Sequence, residues 1–372
     1  MESCISHLFK LLKSADKESK NLLENLSLEI ITRNIDNNKD LPISFQSTSK
    51  FFPEKVKENI RETSSYMYIL NKKVKKKDIT INFISPQKIN YSTLQNYYHY
   101  CFLWLYFIIT TKETNNCCNT LNIDIYLTDI PKKLPEYRTI VLGPEHVNSA
   151  YTYTCRENNE IIIYRNEEWL KVFIHETFHA FRLDFSGQSV AKYEDQIKSC
   201  FNINTSILLY ETYSEVWARI FTVIFVIYMK KPSIKFSAFY KRFVREMQQE
   251  AFFSIMQSCK ILHFMGLNYS LLISKDQHEK NCSLKLYKEK TNVFCYYILT
   301  SILLFFLDDF MVFCEKNNNN IFLMKQNEKN IQLFINFIKE RYDNKTLIEL
   351  YKECNKTDYD DSLKMLGFDL YL

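Results

Sequence analysis

Residues Asn166 to Gly187 read N-E-E-W-L-K-V-F-I-H-E-T-F-H-A-F-R-L-D-F-S-G, an unbroken stretch carrying His175, Glu176 and His179 at the spacing H-E-x-x-H. Asn166 suits an N-cap, Glu167 and Glu168 suit the positive end of a helix dipole, and no Gly or Pro intervenes before Gly187, so the stretch predicts one helix over 166–187. Residues four apart share a helix face, so both imidazoles can reach one ion. Glu176, one position on from His175, can then address a metal-bound water. This is the spacing used for zinc-assisted hydrolysis, and zinc is the expected cofactor. The same residues also allow a buried helix with two satisfied histidines, because Leu170, Phe173, Ile174, Phe178 and Phe181 would cover the remaining surface. With only seven His in the chain, chance is an uncommon source of the pattern.

Working upstream, Glu160 to Arg165 (E-I-I-I-Y-R) and Asn148 to Cys155 (N-S-A-Y-T-Y-T-C) read as two strands joined across Arg156 to Asn159. Leu121 to Thr128 reads as another strand, Tyr91 to Thr110 as a long buried helix, and the alternating I-T-I-N-F-I-S after Asp78 as the first strand of a sheet. Before it, Leu8, Leu11, Leu12, Leu22, Leu23, Leu26 and Ile30 make a helical stripe, Lys39 to Phe52 reads as a linker, and Glu54 to Ile69 as a second helix. The basic run Lys72 to Lys77 reads as a solvated turn into the next strand. No stacking platform accompanies it, so nucleic acid is not an expected partner.

Downstream, a polar connection runs to about Asn204. Ser206 to Lys230 then predicts a second helix with Glu211, Glu215 and Arg219 on one side. Ile234 to Leu262, Thr291 to Cys314 and Asn330 to Tyr342 read as further helices. The division expected is an N-terminal helical region over 1–75, a catalytic core over 76–232 and a C-terminal α-helical lobe over 233–372.

Composition bounds the classes. Four Gly and seven Pro in 372 residues favour long helices over tight turns, and 46% hydrophobic content supports a sizeable core. A net charge of +5 is modest. Eleven Cys without a C-x-x-C pair, the vicinal Cys117-Cys118 being poorly placed for a bridge, point to a reducing compartment. The N-terminus lacks a signal-peptide core, and the run Val293 to Leu307 falls short of the ~18 residues that suggest a span. The expectation is an intracellular protein with no transmembrane span: cytoplasmic or, for a viral protein, in the virion or the infected-cell cytoplasm.

The order of strand pair, H-E-T-F-H helix and glutamate-bearing helix resembles the catalytic half of thermolysin-like zinc peptidases, the gluzincins. H-E-T-F-H with E-T-Y-S-E-x-W-A is also similar to predicted metallopeptidases of large AT-rich DNA viruses. The resemblance implies that Glu211 is the third zinc ligand and that Glu215, four positions later, supports a ligand histidine. It implies that Asn148, Ala150 and Tyr151 lie on an edge strand that pairs with an extended peptide. It makes His263 the candidate for stabilising the tetrahedral intermediate; a structural His near a helix end is the alternative. The interval from His179 to Glu211 is longer than in thermolysin. The metzincin pattern fails, since Arg182 stands where its Gly should be and Phe185 where its third ligand should be. Asp184, one position out of register, can support His175 or His179, or simply cap the helix end.

The expected fold is therefore α+β, with a zincin-like core of a small mixed sheet, the H-E-x-x-H helix and the glutamate helix, and a large helical remainder. The expected activity is peptide-bond hydrolysis on a peptide or protein substrate, with Glu176 as general base. The alternative is a catalytically inactive binding module built on the same fold.

Overall fold

The computed structural model describes all residues except 25, 112–115, 190, 355–358 and 368–372. It is α+β, with a six-stranded mixed sheet made of β1 (Ile31–Asn34), β2 (Tyr66–Val74), β3 (Lys77–Ser85), β4 (Thr120–Tyr126), β5 (Ala150–Thr152) and β6 (Asn158–Ile163). The order across the sheet is β1-β2-β3-β4-β6-β5. β3, β4 and β6 run parallel, and the outer pairings are antiparallel. The helix Tyr91–Thr111 makes the crossover between β3 and β4, which is what a parallel pair requires.

Period-two alternation gives the sheet two different faces. Ile79, Ile81 and Phe83 stand beside Leu121, Ile123 and Ile125, which in turn face Ile161 and Ile163. This face joins the main core under the Tyr91–Thr111 helix and the His175 helix. Trp104 ties those two helices together, its indole N–H donating to Thr177 Oγ1 at 2.6 Å. The opposite face carries Met67, Ile84, Tyr126, Tyr151, Ile162 and Tyr164 and packs under Leu41, Phe45, Phe52, Val56 and Ile60. The segment expected as a linker is therefore the cover of a second core. The helix expected over 54–69 stops at Thr63, and the chain enters β2 at Tyr66, so the 1–75 region is not all helical. Pairing to β3 along the whole of β2 overrides local helical period. The basic run forms the β2–β3 hairpin, with Lys75 in a left-handed turn conformation (φ 56°).

Cys117 and Cys155 form a disulfide, against the expectation from spacing. They are 38 residues apart in sequence, but the sheet brings their Cα atoms to 4.6 Å. With this bridge in place, cysteine spacing no longer points to a reducing compartment.

The helices Leu209–Lys230 and Phe236–Phe264 follow the expected spans closely. The first is the one described helix long and apolar enough to cross a membrane, and 94% of its apolar window is buried inside the protein. The helix expected over 291–314 is instead broken: Phe294–Phe305 and Leu307–Asn317 are bent by 92°, and the first turns, Phe294–Leu299, are of the wider π type.

The N-terminal helix Glu2–Leu22 is clamped to the core by Asp16. Its carboxylate accepts from Tyr228 Oη at 2.8 Å and Lys20 Nζ at 2.7 Å, and meets His99 Nε2 at 3.0 Å. Burial alone would raise the Asp16 pKa, but these bonds from His99, Lys20 and Tyr228 hold it down at about 2. A depressed carboxyl contributes stability above its unfolded pKa of about 3.9 that is lost as pH falls through the folded value. Asp16→Asn is expected to cost about 2 kcal/mol at pH 7. Urea unfolding should find the difference shrinking toward pH 2; a loss independent of pH would assign the effect to packing.

Candidate metal centre

The His175 helix spans Trp169–Ala180 and is shorter than expected at both ends. At its start Glu168, not Asn166, occupies the cap, in a left-handed conformation (φ 61°). Its carboxylate does not face solvent but accepts from Lys132 Nζ at 2.6 Å. At its end the amide of Leu183 donates to Phe178 O at 2.8 Å and that of Arg182 to His179 O at 3.0 Å, a Schellman closure with Arg182 (φ 54°) where glycine is usual. This turn folds the chain back and delivers Asp184 to the motif.

His175 and His179 point their Nε2 atoms at each other, 3.1 Å apart, and Glu211 Oε2 lies 3.1 Å from the first and 3.3 Å from the second. One ligand atom from each falls within a 4.8 Å group, so the trio can hold a metal ion. Each imidazole is backed on its far side by a different carboxylate. His179 Nδ1 meets Asp184 Oδ2 at 2.5 Å, and Asp184 is oriented by Ser214 Oγ at 2.9 Å and Ser186 N at 3.0 Å. His175 Nδ1 lies 3.1 Å from Glu215 Oε2, without the alignment of a hydrogen bond. Outer carboxylates of this kind fix the tautomer and raise ligand basicity.

Glu215 is buried between two cations, accepting from Lys171 Nζ at 3.0 Å and Arg219 Nε at 2.9 Å. Arg219 continues to Glu250 at 3.2 Å. Lys171, one turn before His175, and Arg219, one turn after Glu215, thus neutralise a carboxylate that the interior would otherwise not tolerate. Lys171 was legible in principle, being four positions from His175, but nothing in the sequence says which carboxylate it meets.

His175, Glu176, His179 and Glu211 are only 5%, 7%, 8% and 9% exposed. A cavity of about 30 Å³ adjoins His175 and Glu176 and is also lined by Asn148, Ser149, Ala150 and Tyr296. β5 is the sheet edge as expected, and Asn148 and Ala150 reach the cavity. Asn148 is engaged, however, with Thr291 Oγ1 at 2.7 Å, and Tyr151 belongs to the core on the opposite face. His263 is exposed, bonded to Arg138 at 2.8 Å, and is not among the cavity's lining residues. Two hydroxyl-bearing rings stand beside the site: Tyr210, whose centroid is 5.7 Å from that of His179, and Tyr296, which lines the cavity with its centroid 5.9 Å from that of His175. Tyr296 sits on the π turn that a uniform apolar run does not announce. Ser149 adds a buried hydroxyl without a hydrogen-bond partner.

Charge in the site is strongly coupled. Burial would depress the His179 pKa, but the Glu211 and Asp184 carboxylates hold it well above the ordinary histidine value, and His175 is raised by Glu211 and Glu215 against the same burial. Burial would raise Glu211, but the two imidazoles hold it well below the usual carboxylate range. Burial raises Glu176, with His175 and His179 pulling the other way. Protons on raised imidazoles compete with a metal until pH exceeds their pKa values. Metal affinity is therefore expected to rise through the neutral range, by up to about tenfold per displaced proton per pH unit. Competition titrations with a zinc chelator at pH 6, 7 and 8 check this; a flat profile would mean that the imidazoles are not the ligands.

Two imidazole nitrogens and one carboxylate oxygen, backed by further carboxylates, are a donor set suited to zinc. Compared with known proteins, the chain matches no family model, no curated protein and no solved structure.

Proposed function

We propose that the protein is a zinc-dependent hydrolase of peptide bonds, with a zincin-like core of the gluzincin kind. The observation that carries this reading is the convergence of His175 Nε2, His179 Nε2 and Glu211 Oε2 within 4.8 Å, beside a buried carboxylate, Glu176, that none of the three needs for structure. His175, His179 and Glu211 would hold the ion, with Asp184 and Glu215 orienting the imidazoles. Bound zinc supplies a Lewis acid and lowers the pKa of water. Glu176 takes the proton from the water that attacks the scissile carbonyl carbon and returns it to the departing amine as the C–N bond breaks. Tyr296 and Ser149 line the same cavity, and in this reading their hydroxyls would donate to the developing oxyanion, the role first expected of His263.

A second reading, a binding module without turnover, is favoured by the enclosure of the site. Metal analysis of the purified protein tests the first premise. One zinc per chain is expected, lost when both His175 and His179 are changed to Ala; well-folded wild-type protein without zinc after reconstitution would end the proposal.

A further inference from the structure

A peptide substrate must lie beside Glu176, yet the cavity there has a volume of about 30 Å³, room for little more than a water molecule. One wall of it is Met365, from the far end of the chain. Asp361 to Gly367 cross this part of the molecule as a strap outside any helix. Ser362 bridges antiparallel to Lys133, with Leu134 N donating to Asp361 O at 2.8 Å and Leu363 N to Lys132 O at 2.9 Å. Tyr297 Oη donates to Leu363 O at 2.7 Å and Gln257 Nε2 to Lys364 O at 2.6 Å. Met365 N donates to Glu168 Oε1 at 2.8 Å, Leu366 N donates to the same oxygen, and Gly367 N donates to Glu250 Oε2 at 2.9 Å.

The grip is thus on the main chain of the strap, residue after residue. Main-chain bonds hold any sequence, while pockets for selected side chains choose among sequences, which is how extended peptides are recognised. Here the pockets take Leu363, Met365 and Leu366, all buried, and leave Lys364 outside. Two of the acceptors are buried carboxyl groups; Glu168, which Lys132 holds in its ionised form against burial, binds amide N–H groups more strongly than a neutral acceptor does.

We propose that the groove holding Leu363 to Gly367 is the cleft for an extended peptide with apolar side chains, and that the chain's own C-terminal segment occupies it as an intramolecular competitor that withdraws before a substrate enters. The catalytic consequence rests on the peptidase reading; the groove as a peptide site does not.

The test uses the full chain and an acetylated, fluorescein-labelled peptide Ser-Leu-Lys-Met-Leu-Gly, the sequence of residues 362–367. In Leu363→Ala/Met365→Ala the strap is loosened, and fluorescence anisotropy should find the peptide bound at least about tenfold more tightly than by wild type, because the competent fraction has risen. Adding Glu168→Gln should cancel the gain. A chain ending at Asp361 is the second variant and should bind at least as well. Equal binding, or none, in wild type and in folded strap variants overturns the proposal. Loss of folded structure in both variants overturns it too, since the strap would then be an obligatory part of the core. Peptide binding with no zinc in the protein would end the peptidase reading alone. Zinc and Glu176-dependent cleavage, with the labelled peptide bound by neither variant, would end the strap proposal alone.

Discussion

Glu176→Gln is expected to keep the metal and the fold while lowering peptide cleavage by roughly 10²–10⁴-fold, the usual contribution of a general base. The amide nearly matches the carboxylate in shape but cannot accept the proton of the attacking water. Glu176 projects from the same helix as the two histidines, is 7% exposed, and borders the cavity rather than the group of ligand atoms, so its replacement removes no ligand. The Gln side chain also removes a negative charge that burial disfavours, so thermal stability should hold or rise slightly. The measurement is turnover of a peptide library by strap-loosened protein with and without the substitution, alongside zinc content. Turnover surviving in the Gln variant at wild-type rate would remove Glu176 from the mechanism. Turnover in neither protein would give the binding-module reading the lead.

Glu211→Ala and Glu215→Ala are expected to fail in different ways. Glu211 Oε2 lies within 3.3 Å of both Nε2 atoms, whereas Glu215 stands on the Nδ1 side of His175. Loss of Glu211 should nearly empty the site of zinc and leave the fold in place, because its partners are the two ligand imidazoles. Loss of Glu215 should weaken zinc affinity only by ~10–100-fold, the usual cost of removing a group that orients a ligand. The price appears in stability instead. Lys171 and Arg219 would be left buried, 2% and 1% exposed, without the countercharge they share, a loss of about 3–5 kcal/mol. Zinc titration in chelator buffers and urea unfolding separate the two effects. If Glu215→Ala loses zinc where Glu211→Ala retains it, the ligand role passes to Glu215.

The division of labour between these acids marks how far local reading reaches. From the sequence, the i, i+4 spacing already places both imidazoles on one helical face, since helix geometry needs no partner. Strands β3, β4 and β6 and the helices Tyr91–Thr111, Leu209–Lys230 and Phe236–Phe264 were likewise legible, because their apolar periodicity is strong and internal to each segment. The spacing of Glu211 and Glu215 announced a pair of acids one turn apart. It did not say which would face the nitrogens that converge.

Other features were settled only when distant segments met. Asp184 reaches His179 because a non-glycine residue, Arg182, takes a left-handed conformation that isolated propensity disfavours and surrounding contacts enforce. Residues 41 to 60 became the cover of a second core, and β2 a strand, because the far face of the sheet had apolar area to bury. His263 went to the surface, and Tyr296, on its π turn, to the site. Glu168 and Met365, 197 residues apart, meet in the strap. The sequence by itself determined the chemistry carried by each helix and strand, through periodicities that operate over a few residues. Which side chains face one another across the site was decided by tertiary burial and charge pairing, whose partners lie tens to hundreds of residues away and leave no local pattern.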